Sequence, residues 1–239
     1  YTPLYTLSLH DALPIYGSYA SVDGVLYDRD LTTLILCPAG KVGSHAIPSS
    51  VLRIGAGAFQ GCAGLTSIAI PSGVTSIGPY AFAGSTGVSD VTIPNVTRIE
   101  AGAFAGCRNL MALVIPNVTR IEGGAFSGCT GLTSVTIPGG AISVGGSAFA
   151  GCTALTSVTI PGGAVSIGES AFAGCTRLGS VTIPGGVTSV GERAFAGCTA
   201  LTSVPILRGV TYIGEGAFAD CARLSSVVIP RSVWRISNG

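Results

Sequence analysis

An alanine-phenylalanine pair recurs along most of this 239-residue chain at a nearly constant interval. All eight phenylalanines follow an alanine, and successive phenylalanines stand about 22 to 23 residues apart. A fixed period of this length indicates that each repeat is one supersecondary unit, which cannot bury its apolar side chains alone. The sequence therefore predicts a solenoid of stacked coils, with its phenylalanines at Phe59, Phe82, Phe104, Phe126, Phe149, Phe172, Phe195 and Phe218.

Each repeat carries further apolar positions at fixed distances from its phenylalanine. In the repeat of Phe149 they are Cys152, Leu155, Val158 and Ile160, and a proline follows the isoleucine. The last of these positions alternate with polar residues, which is typical of a strand with one buried face. Proline ends such a strand because it has no N–H to give to a parallel ladder. We therefore expect one short strand from this segment of each repeat.

The second half of the repeat runs from the proline to the next alanine-phenylalanine pair. In Pro71–Gly78 we expect Val74 and Ile77 to point to the core and the Ser-Gly pair to form the turn. Two repeats are one residue shorter than the others, because a single residue, Asn95 or Asn117, stands between proline and valine. The segment that leads into each alanine-phenylalanine pair has room for a short helical turn at most.

Two repeats have alanine where the others have an inward valine in this second half. They are Ala141 and Ala164, and each precedes an aliphatic residue, Ile142 or Val165. A shift of one residue turns the side chains of a strand to its other face. Either the segment slips locally, or Ile142 and Val165 form an exposed apolar pair on neighbouring coils.

The whole pattern resembles the leucine-rich repeats of the BspA-like, or Treponema-type, family. That family's unit also reads leucine, spaced aliphatics, Ile-Pro, Val-x-x-Ile-Gly, Ala-Phe and cysteine, and the match runs from about Ile47 to Ile236. The resemblance implies a leucine-rich-repeat solenoid, a β-rich α/β horseshoe. It places one short parallel strand per repeat, each repeat being about 22 to 23 residues long, on the concave face. A second short strand and a helical turn lie on the other side. The resemblance implies no enzyme activity.

Residues 1–15 do not share this pattern. Tyr5–Ile15 resembles an in-frame translation of a sequencing-library adapter, so residues 1–15 are excluded from the fold reasoning. The alternative is a natural leader, but the segment lacks a basic start and a long apolar stretch. We expect a chain that is truncated at its start, which would hide any signal peptide.

Residues 16–46 form a variant unit before the full repeats. Val25–Tyr27 and Leu34–Leu36 are apolar runs separated by turn-forming residues, which predicts a hairpin. The family that the repeats resemble often has a similar segment, matched here by Asp23–Tyr27 and Pro38–Lys41. Residues 47–239 then form the solenoid of eight Ala-Phe repeats and a truncated ninth, and we expect a fragment at this end as well.

The composition restricts the class of protein. The chain is 47% hydrophobic and only 10% charged, yet it has no apolar run near the roughly 18 residues that a membrane helix needs. With 12 basic and 11 acidic residues, it offers no basic patch for nucleic acid. A thin solenoid of small residues and buried aliphatics accounts for this composition.

Seven of the eight cysteines occupy the same position of the repeat, which is Ser85 in the remaining one. They are expected to stack in a column about 5 Å apart. Parallel side chains in a column fit the near-perpendicular torsion of a disulfide poorly. Zinc sites need Cys or His pairs a few residues apart, and the sequence has none. We expect buried free thiols that pack as small hydrophobic groups.

The sequence offers no convergent catalytic set, so neither an enzyme nor a cofactor is predicted. Apart from His10 in the excluded segment, the only histidine is His45, which we expect to be an exposed loop residue beside the hairpin. Glu169, Glu192 and Glu215 recur at one position of successive repeats. This carboxylate column could bind calcium, but a solvated edge is the interpretation that we favour.

Two other patterns have a structural and a functional interpretation. Arg-Ile-Glu recurs at Arg98–Glu100 and Arg120–Glu122, which predicts diagonal ion pairs between coils, worth at most about 1 kcal/mol each. Asn95 and Asn117 each begin an Asn-Val-Thr match to the N-glycosylation pattern, but asparagine also suits a tight turn. We favour the turn.

The outward residues of the predicted strand are the candidate binding face. Between the buried positions lie serine and threonine hydroxyls, with Asp90 as the single charge in these strand positions. Such ladders can hydrogen-bond a protein or a glycan, although threonine is also simply a good sheet former. The hydroxyl residues are Thr66, Ser67, Thr133, Ser134, Thr136, Thr156, Ser157, Thr159, Ser180, Thr182, Thr202 and Ser203.

Together these patterns favour a noncatalytic protein- or glycan-binding module. By resemblance it belongs to a secreted or cell-surface adhesin-like protein, whose partner is a host or neighbouring-cell macromolecule such as a matrix protein, a mucin or another glycoprotein. The alternative is a structural spacer of a larger surface protein or secreted enzyme. We expect no nucleic-acid partner and no direct membrane insertion of this segment.

Overall fold

The computed structural model of this chain describes residues 17–141 and 143–237. In this part the chain winds into a stack of coils, one per repeat, around one continuous apolar core. The adapter-like Tyr5–Ile15 lies outside the described residues.

Strands and turns, but no helix, occur in the described residues, so none of these residues form a helix that could cross a bilayer. In chain order the strands are β1 (Tyr19–Val22), β2 (Val25–Asp28), β3 (Thr33–Leu36), β4 (Gly43–Ala46), β5 (Arg53–Ile54), β6 (Leu65–Ala69), β7 (Ser76–Ile77), β8 (Asp90–Thr92), β9 (Arg98–Ile99), β10 (Ala112–Val114), β11 (Arg120–Ile121), β12 (Ser134–Thr136), β13 (Ser143–Val144), β14 (Ser157–Thr159), β15 (Ser166–Ile167), β16 (Ser189–Val190), β17 (Tyr212–Ile213) and β18 (Arg235–Ile236).

One side of the stack is a single 12-stranded sheet, the long sheet, in the order β1-β2-β3-β5-β7-β9-β11-β13-β15-β16-β17-β18. From β3 onward its strands are parallel and in register, so that Ser143 pairs with Ser166 and Val144 with Ile167. The aliphatic residue of each short strand from β5 to β17 is buried. The second, shorter strand that the sequence predicts for each repeat therefore forms the more continuous ladder of the two sides.

The other side of the stack carries the strands that directly precede each Ile-Pro pair, here called the leucine strands after the leucine that begins most of these segments. They form three separate parallel pairs: β4 with β6, β8 with β10, and β12 with β14. Beyond β14 the pairing thins to single bridges such as Ser157 to Ser180 and Ser180 to Ser203. Pro205 adds to this thinning because it has no N–H. The expectation of one strand per repeat in a continuous parallel sheet on this side is therefore wrong for the last coils. Which side is concave stays a prediction.

The breaks between these pairs coincide with changes in coil length. The coils that begin at Phe82 and Phe104, the short coils, are one residue shorter than the others, the long coils. The strands of the short coils, β8 and β10, pair with each other, but no ladder joins β6 to β8 or β10 to β12. In the short coils, the amides of Asn95 and Asn117 each donate a 2.6 Å hydrogen bond to a carbonyl oxygen of the preceding coil. These two breaks therefore fall where coils of different length meet, and the asparagine side chain closes the shorter turn.

The phenylalanines form a continuous column through the core. The centroids of neighbouring rings lie 4.9 to 5.7 Å apart, and their planes are nearly parallel. Seven of these rings are fully buried, whereas Phe218, in the last complete coil, is partly exposed. The stacked coils that the phenylalanine period predicts are confirmed, and they bring the rings into one shared column.

The segment around each alanine-phenylalanine pair is a run of turns, so the predicted helical turn is wrong. In the coil of Phe149, Ser147 and Gly151 have φ angles of 54° and 71°, in the left-handed region that a right-handed helix excludes. The N–H groups of Ala148 and Ala150 donate to carbonyl oxygens three residues back. Those of Ser147, Phe149 and Gly151 donate to the next coil instead. Alternate backbone N–H groups therefore bond the next coil and are not available for hydrogen bonds within a helix.

The N-terminal strands form antiparallel hairpins that lead into the long sheet. β1 and β2 are joined by Asp23 and Gly24, whose φ angles of 51° and 71° suit a two-residue hairpin turn. β2 and β3 also pair antiparallel, as the two apolar runs predict, and β3 then pairs in parallel with β5. The division of the chain after residue 46 stays a prediction.

The segments with alanine at the inward position keep their register. Ala141 and Ala164 are both buried, and Ser166 pairs with its counterparts in the coils on both sides. Val165 is 45% exposed. The segment therefore does not slip, and Val165 faces outward; its neighbour Ile142 lies outside the described residues.

Candidate binding face

The hydroxyl residues singled out from the sequence lie on one exposed surface, the leucine-strand face. It consists of the outward residues of β4, β6, β8, β10, β12, β14 and the matching segments of the later coils. Ser134 pairs with Ser157 and Thr136 with Thr159. All of the predicted residues are exposed: Thr66, Ser67, Thr133, Ser134, Thr136, Thr156, Ser157, Thr159, Ser180, Thr182, Thr202 and Ser203.

These hydroxyls divide into two kinds. The hydroxyl of Thr156 donates to the carbonyl oxygen of Thr133 at 3.0 Å, and that of Thr202 donates to Gly179 at 3.1 Å, so this column links one coil to the previous one. In the described part of the chain, the hydroxyls of Thr136 and Thr159 make no hydrogen bond to protein. A hydroxyl can donate one hydrogen bond and accept two, so this second column can bond a partner.

One coil interrupts the hydroxyl pattern with apolar side chains. Met111 is 55% exposed and Val114 is 50% exposed, and Ala112 between them is exposed as well. Ala112 lies directly beside Asp90 of the preceding strand. The sequence analysis missed this patch, although its signal was present: these three residues stand at positions that are mostly serine or threonine in the other repeats.

The charged residues elsewhere form exposed pairs. Arg98 lies 3.0 Å from Glu122 of the next coil and 3.3 Å from Glu100, so the predicted diagonal ion pair is confirmed there. In the glutamate column, Glu192 is 3.9 Å from Arg193. Within residues 17–141 and 143–237, no group of three or more His, Cys, Asp or Glu residues is placed to hold a metal ion, which gives the calcium alternative no support.

His45 is buried in β4, so the expectation of an exposed loop residue is wrong. It pairs with Ile68 in the parallel register and therefore takes the inward aliphatic position of its unit. Its side chain is only 1% exposed. The signal was present in the sequence, because His45 is followed by Ala-Ile-Pro just as Ile68 is.

A polar cluster satisfies this buried histidine. The Tyr27 hydroxyl lies 2.8 Å from Nε2 of His45, and Nδ1 lies 3.3 Å from Oδ2 of Asp23. Lys41 donates to the same carboxylate at 2.8 Å and holds the pKa of Asp23 below its ordinary value. The neutral histidine with its proton on Nδ1 fits both contacts, since it accepts from Tyr27 and donates to Asp23.

The geometry of this polar cluster indicates a structural role. Burial lowers the pKa of His45, with the Asp23 carboxylate opposing it, and burial raises the pKa of Tyr27 above its usual range. Both ring nitrogens already have partners, and the ring stands beside Phe59 with centroids 6.4 Å apart. The histidine therefore fastens the hairpin to the first coil and is not open to a substrate.

All eight cysteines are buried, as predicted. Burial raises the pKa of Cys107 and of Cys152 to about 12, so both stay as thiols at neutral pH. Their sulfurs lie 3.0 and 3.2 Å from the carbonyl oxygens of Phe82 and Phe126 in the preceding coils. The column therefore adds a weak hydrogen bond to its packing, which the sequence analysis did not predict.

Stacked coils with buried leucine, isoleucine and phenylalanine columns define a solenoid of the leucine-rich-repeat class. The family model described as a BspA type leucine rich repeat region matches residues 39–152 and 119–239, in six copies. The chain therefore belongs to the BspA-type leucine-rich-repeat family, and the resemblance of its repeats is confirmed.

Solved structures of bacterial leucine-rich-repeat proteins are similar to this chain. A leucine-rich cell surface protein of Faecalibacterium prausnitzii is 31% identical, with a TM-score of 0.73 over 92% of this chain and 71% of that one. A leucine-rich-repeat protein of Eubacterium ventriosum is 32% identical, with a TM-score of 0.69 over 75% of this chain, which spans half the length of that protein. That of T. pallidum is 28% identical, with a TM-score of 0.60 over 90% of this chain and 91% of its own. No curated protein gives a significant sequence match.

Proposed function

We propose that this chain is a noncatalytic binding module and that its leucine-strand face contacts a macromolecular partner. The observation that carries the proposal is the register of this face. Free hydroxyls such as those of Thr136 and Thr159 stand in line on adjacent strands, and Met111 and Val114 are exposed beside them. Extended surfaces of this kind are what stacked repeats commonly use for binding.

The absence of a catalytic role is also part of the proposal. Its support is that His45, the single histidine of the described chain, is enclosed by Tyr27 and Asp23. The buried thiols of Cys107 and Cys152, with their raised pKa values, are poor nucleophiles.

We place the module in a secreted or cell-surface protein, with a matrix protein, a mucin or another glycoprotein of a host or neighbouring cell as its partner. The support is that the similar Faecalibacterium prausnitzii chain is described as a cell surface protein.

A structural spacer in a larger protein is the second candidate function. The observation in its favour is the long sheet, in which strands from β1 to β18 join every described coil into one ladder. A spacer requires no contact between the leucine-strand face and a partner, so binding experiments separate the two candidates.

The test measures binding of the chain to immobilised mucin and fibronectin. Thr136→Arg together with Thr159→Arg should reduce binding to either protein at least about tenfold, because a partner matched to neutral hydroxyls would have to desolvate two charges. The matched control is Ser147→Arg with Ser170→Arg on the opposite edge. Both serines have positive φ, and Arg193 already occupies the same position with φ 51°, so the fold tolerates this change.

Loss of binding in the control pair, with binding kept in the Thr136 and Thr159 pair, would move the binding surface to the turns. If neither immobilised protein binds the parent chain, the spacer is favoured. Unfolding in urea should shift by no more than about 0.5 kcal/mol for either arginine pair, as outward changes usually do.

A further inference from the structure

The backbone between β10 and β12 has a donor without an acceptor. In the next pair of strands, the N–H of Ile137 donates to the carbonyl oxygen of Thr159 at 3.1 Å. The corresponding donor one coil earlier is Ile115, opposite Thr136. Among the described residues its N–H, like those of Ile70 and Ile160 at the same position of other coils, has no hydrogen-bond acceptor. Buried backbone donors are almost always paired, with protein, water or a ligand. The side chain of Ile115 is buried, so this N–H is a point where an added acceptor would be favourable.

A groove of about 380 Å³ opens at this break. Val114 and Pro116 line it from the short coil, and Thr136 and Pro138 line it from the long coil that follows. The groove lies where a short coil meets a long coil, whereas the following pair, β12 and β14, joins two long coils with an intact ladder.

The groove borders the apolar patch on the leucine-strand face. Met111 and Val114 expose about half of their surface there, whereas the coils on either side present Ser89 and Thr133 next to them. Methionine adapts its shape to a partner, and it is enriched in the buried centres of protein interfaces.

A negative charge stands beside the patch. Asp90 is the strand neighbour of Ala112, and its carboxylate accepts a hydrogen bond from the Ser89 hydroxyl at 2.7 Å. Among the described residues, it forms no ion pair with a lysine or arginine. A cationic side chain on a partner would complement it.

We propose that the groove between β10 and β12 is the anchor point for an extended segment of a protein partner. The segment inserts one large apolar side chain against Met111 and Val114, and offers a main-chain carbonyl to the N–H of Ile115. A lysine or arginine one or two residues away pairs with Asp90. This inference rests on the proposed binding function and names the chemistry of the partner.

The observations favour a polypeptide over a glycan. No aromatic side chain occupies the three outward positions of the leucine strands in any repeat, so the face has no ring on which a sugar could stack. An apolar side chain, a main-chain carbonyl and a cation together match Met111, Ile115 and Asp90 better than a neutral sugar does.

The experiment uses a phage-displayed library of random dodecapeptides, selected against the full chain. The expected enrichment is for a large apolar residue within two positions of lysine or arginine. An enriched peptide, synthesised and labelled, then gives a dissociation constant by fluorescence anisotropy.

The variant Met111→Thr with Val114→Thr gives this coil the residues of its neighbour, Thr133 and Thr136. It should weaken the peptide at least about tenfold, as loss of an interface anchor does. Asp90→Asn should weaken binding at low salt more than at high salt. The matched control, Val165→Thr, removes an equally exposed apolar residue outside the leucine-strand face and should leave the affinity unchanged.

Selection of peptides without the apolar-basic pair, or equal affinity for the Met111 and Val114 variant, would overturn the proposal. So would a mixed glycan array that binds the parent chain and this variant alike. The proposed function and the anchor point are tested separately. If the Thr136 and Thr159 arginines abolish mucin or fibronectin binding while the Met111 and Val114 variant keeps it, the leucine-strand face is the binding surface but the proposed anchor point is wrong.

Discussion

The hydroxyl of Ser85 donates a 2.6 Å hydrogen bond to the carbonyl oxygen of Phe59 in the preceding coil. Cys107 makes the corresponding contact to Phe82 through its sulfur at 3.0 Å. Serine and cysteine are thus interchangeable donors at this buried position. The column links each coil to the phenylalanine carbonyl of the preceding coil, in addition to filling space.

When a cysteine of this column is replaced, the change in stability should depend on whether a hydrogen-bond donor remains, and not on the polarity of the new side chain. Cys152→Ser should change the free energy of unfolding by less than about 1 kcal/mol, because the hydroxyl keeps the bond to the Phe126 carbonyl. Cys152→Ala should cost about 1 to 2 kcal/mol, since it removes both the bond and the volume of the sulfur. Urea melts of the two variants decide the matter, and a serine variant less stable than the alanine variant would contradict the donor role.

The thiols should be free in the purified protein. A thiol titration under denaturing, non-reducing conditions should find nearly all eight cysteines reactive, because all eight are buried and the seven of the column stand at one position of successive coils. Intact mass that shows paired cysteines would contradict this prediction and would indicate an oxidising compartment.

The phenylalanine column should carry much of the stability. Phe149→Ala removes a fully buried ring stacked at 5.2 and 5.3 Å on its two neighbours and should cost roughly 3 to 5 kcal/mol. Phe218→Ala is the control, because that ring is partly exposed and has a single stacking neighbour, so its loss should be about 1 to 2 kcal/mol. Equal shifts of the two urea midpoints would show that depth in the column does not matter.

Stability should fall as the pH drops below about 6.5, the ordinary pKa of histidine. Burial lowers the pKa of His45 in the folded chain, so the unfolded chain binds more protons in this window and protonation favours unfolding. A proton on Nε2 would also leave the buried Tyr27 hydroxyl without its acceptor. The lowered pKa of Asp23 adds a further loss of stability as the pH falls below about 3.8.

The matched variant for this prediction is His45→Ile with Tyr27→Phe. It places in the unit the isoleucine that Ile68 provides one coil later, and it removes the hydroxyl that would otherwise lose its partner. Urea melts between pH 7.5 and 5 should give a smaller decline for the double variant than for the parent chain. Parallel declines would assign the pH dependence to other groups.

Periodicity predicted most of the fold because a given position of the repeat has the same environment in every coil. The phenylalanine column, the buried cysteines and the inward Val74 and Ile77 follow from it. The predicted helical turn failed because the residue at the Ser147 position is left-handed in every coil. Glycine at this position in four coils, among them Gly57 and Gly102, was the available signal, whereas Ser147 and Arg193 adopt the same conformation without it. His45 was misplaced because a single histidine was weighed by its type and not by its alignment with Ile68.

The candidate site was only half predictable. The hydroxyl ladder follows from the alternation of outward residues, but the groove depends on how a short coil meets a long coil. Asn117 revealed the difference in length, yet the sequence did not show which ladders break, because pairing is also lost beyond β14 between coils of equal length. Met111 and Val114 were visible in the sequence as departures from the hydroxyl pattern, but only the structure shows that they lie beside the groove.

The central claim is that the leucine-strand face is open between β10 and β12, where a short coil meets a long coil. Its most direct test is hydrogen exchange of the Ile115 amide, compared with those of Ile93 and Ile137. The latter two donate to Val114 and Thr159 at 2.9 and 3.1 Å, whereas Ile115 has no acceptor within the described residues.

Ile115 should therefore exchange at least about tenfold faster than Ile93 and Ile137. An Ile115 amide as strongly protected in the parent chain as Ile93 and Ile137 would contradict the claim, because the ladder would then be closed where the groove is placed.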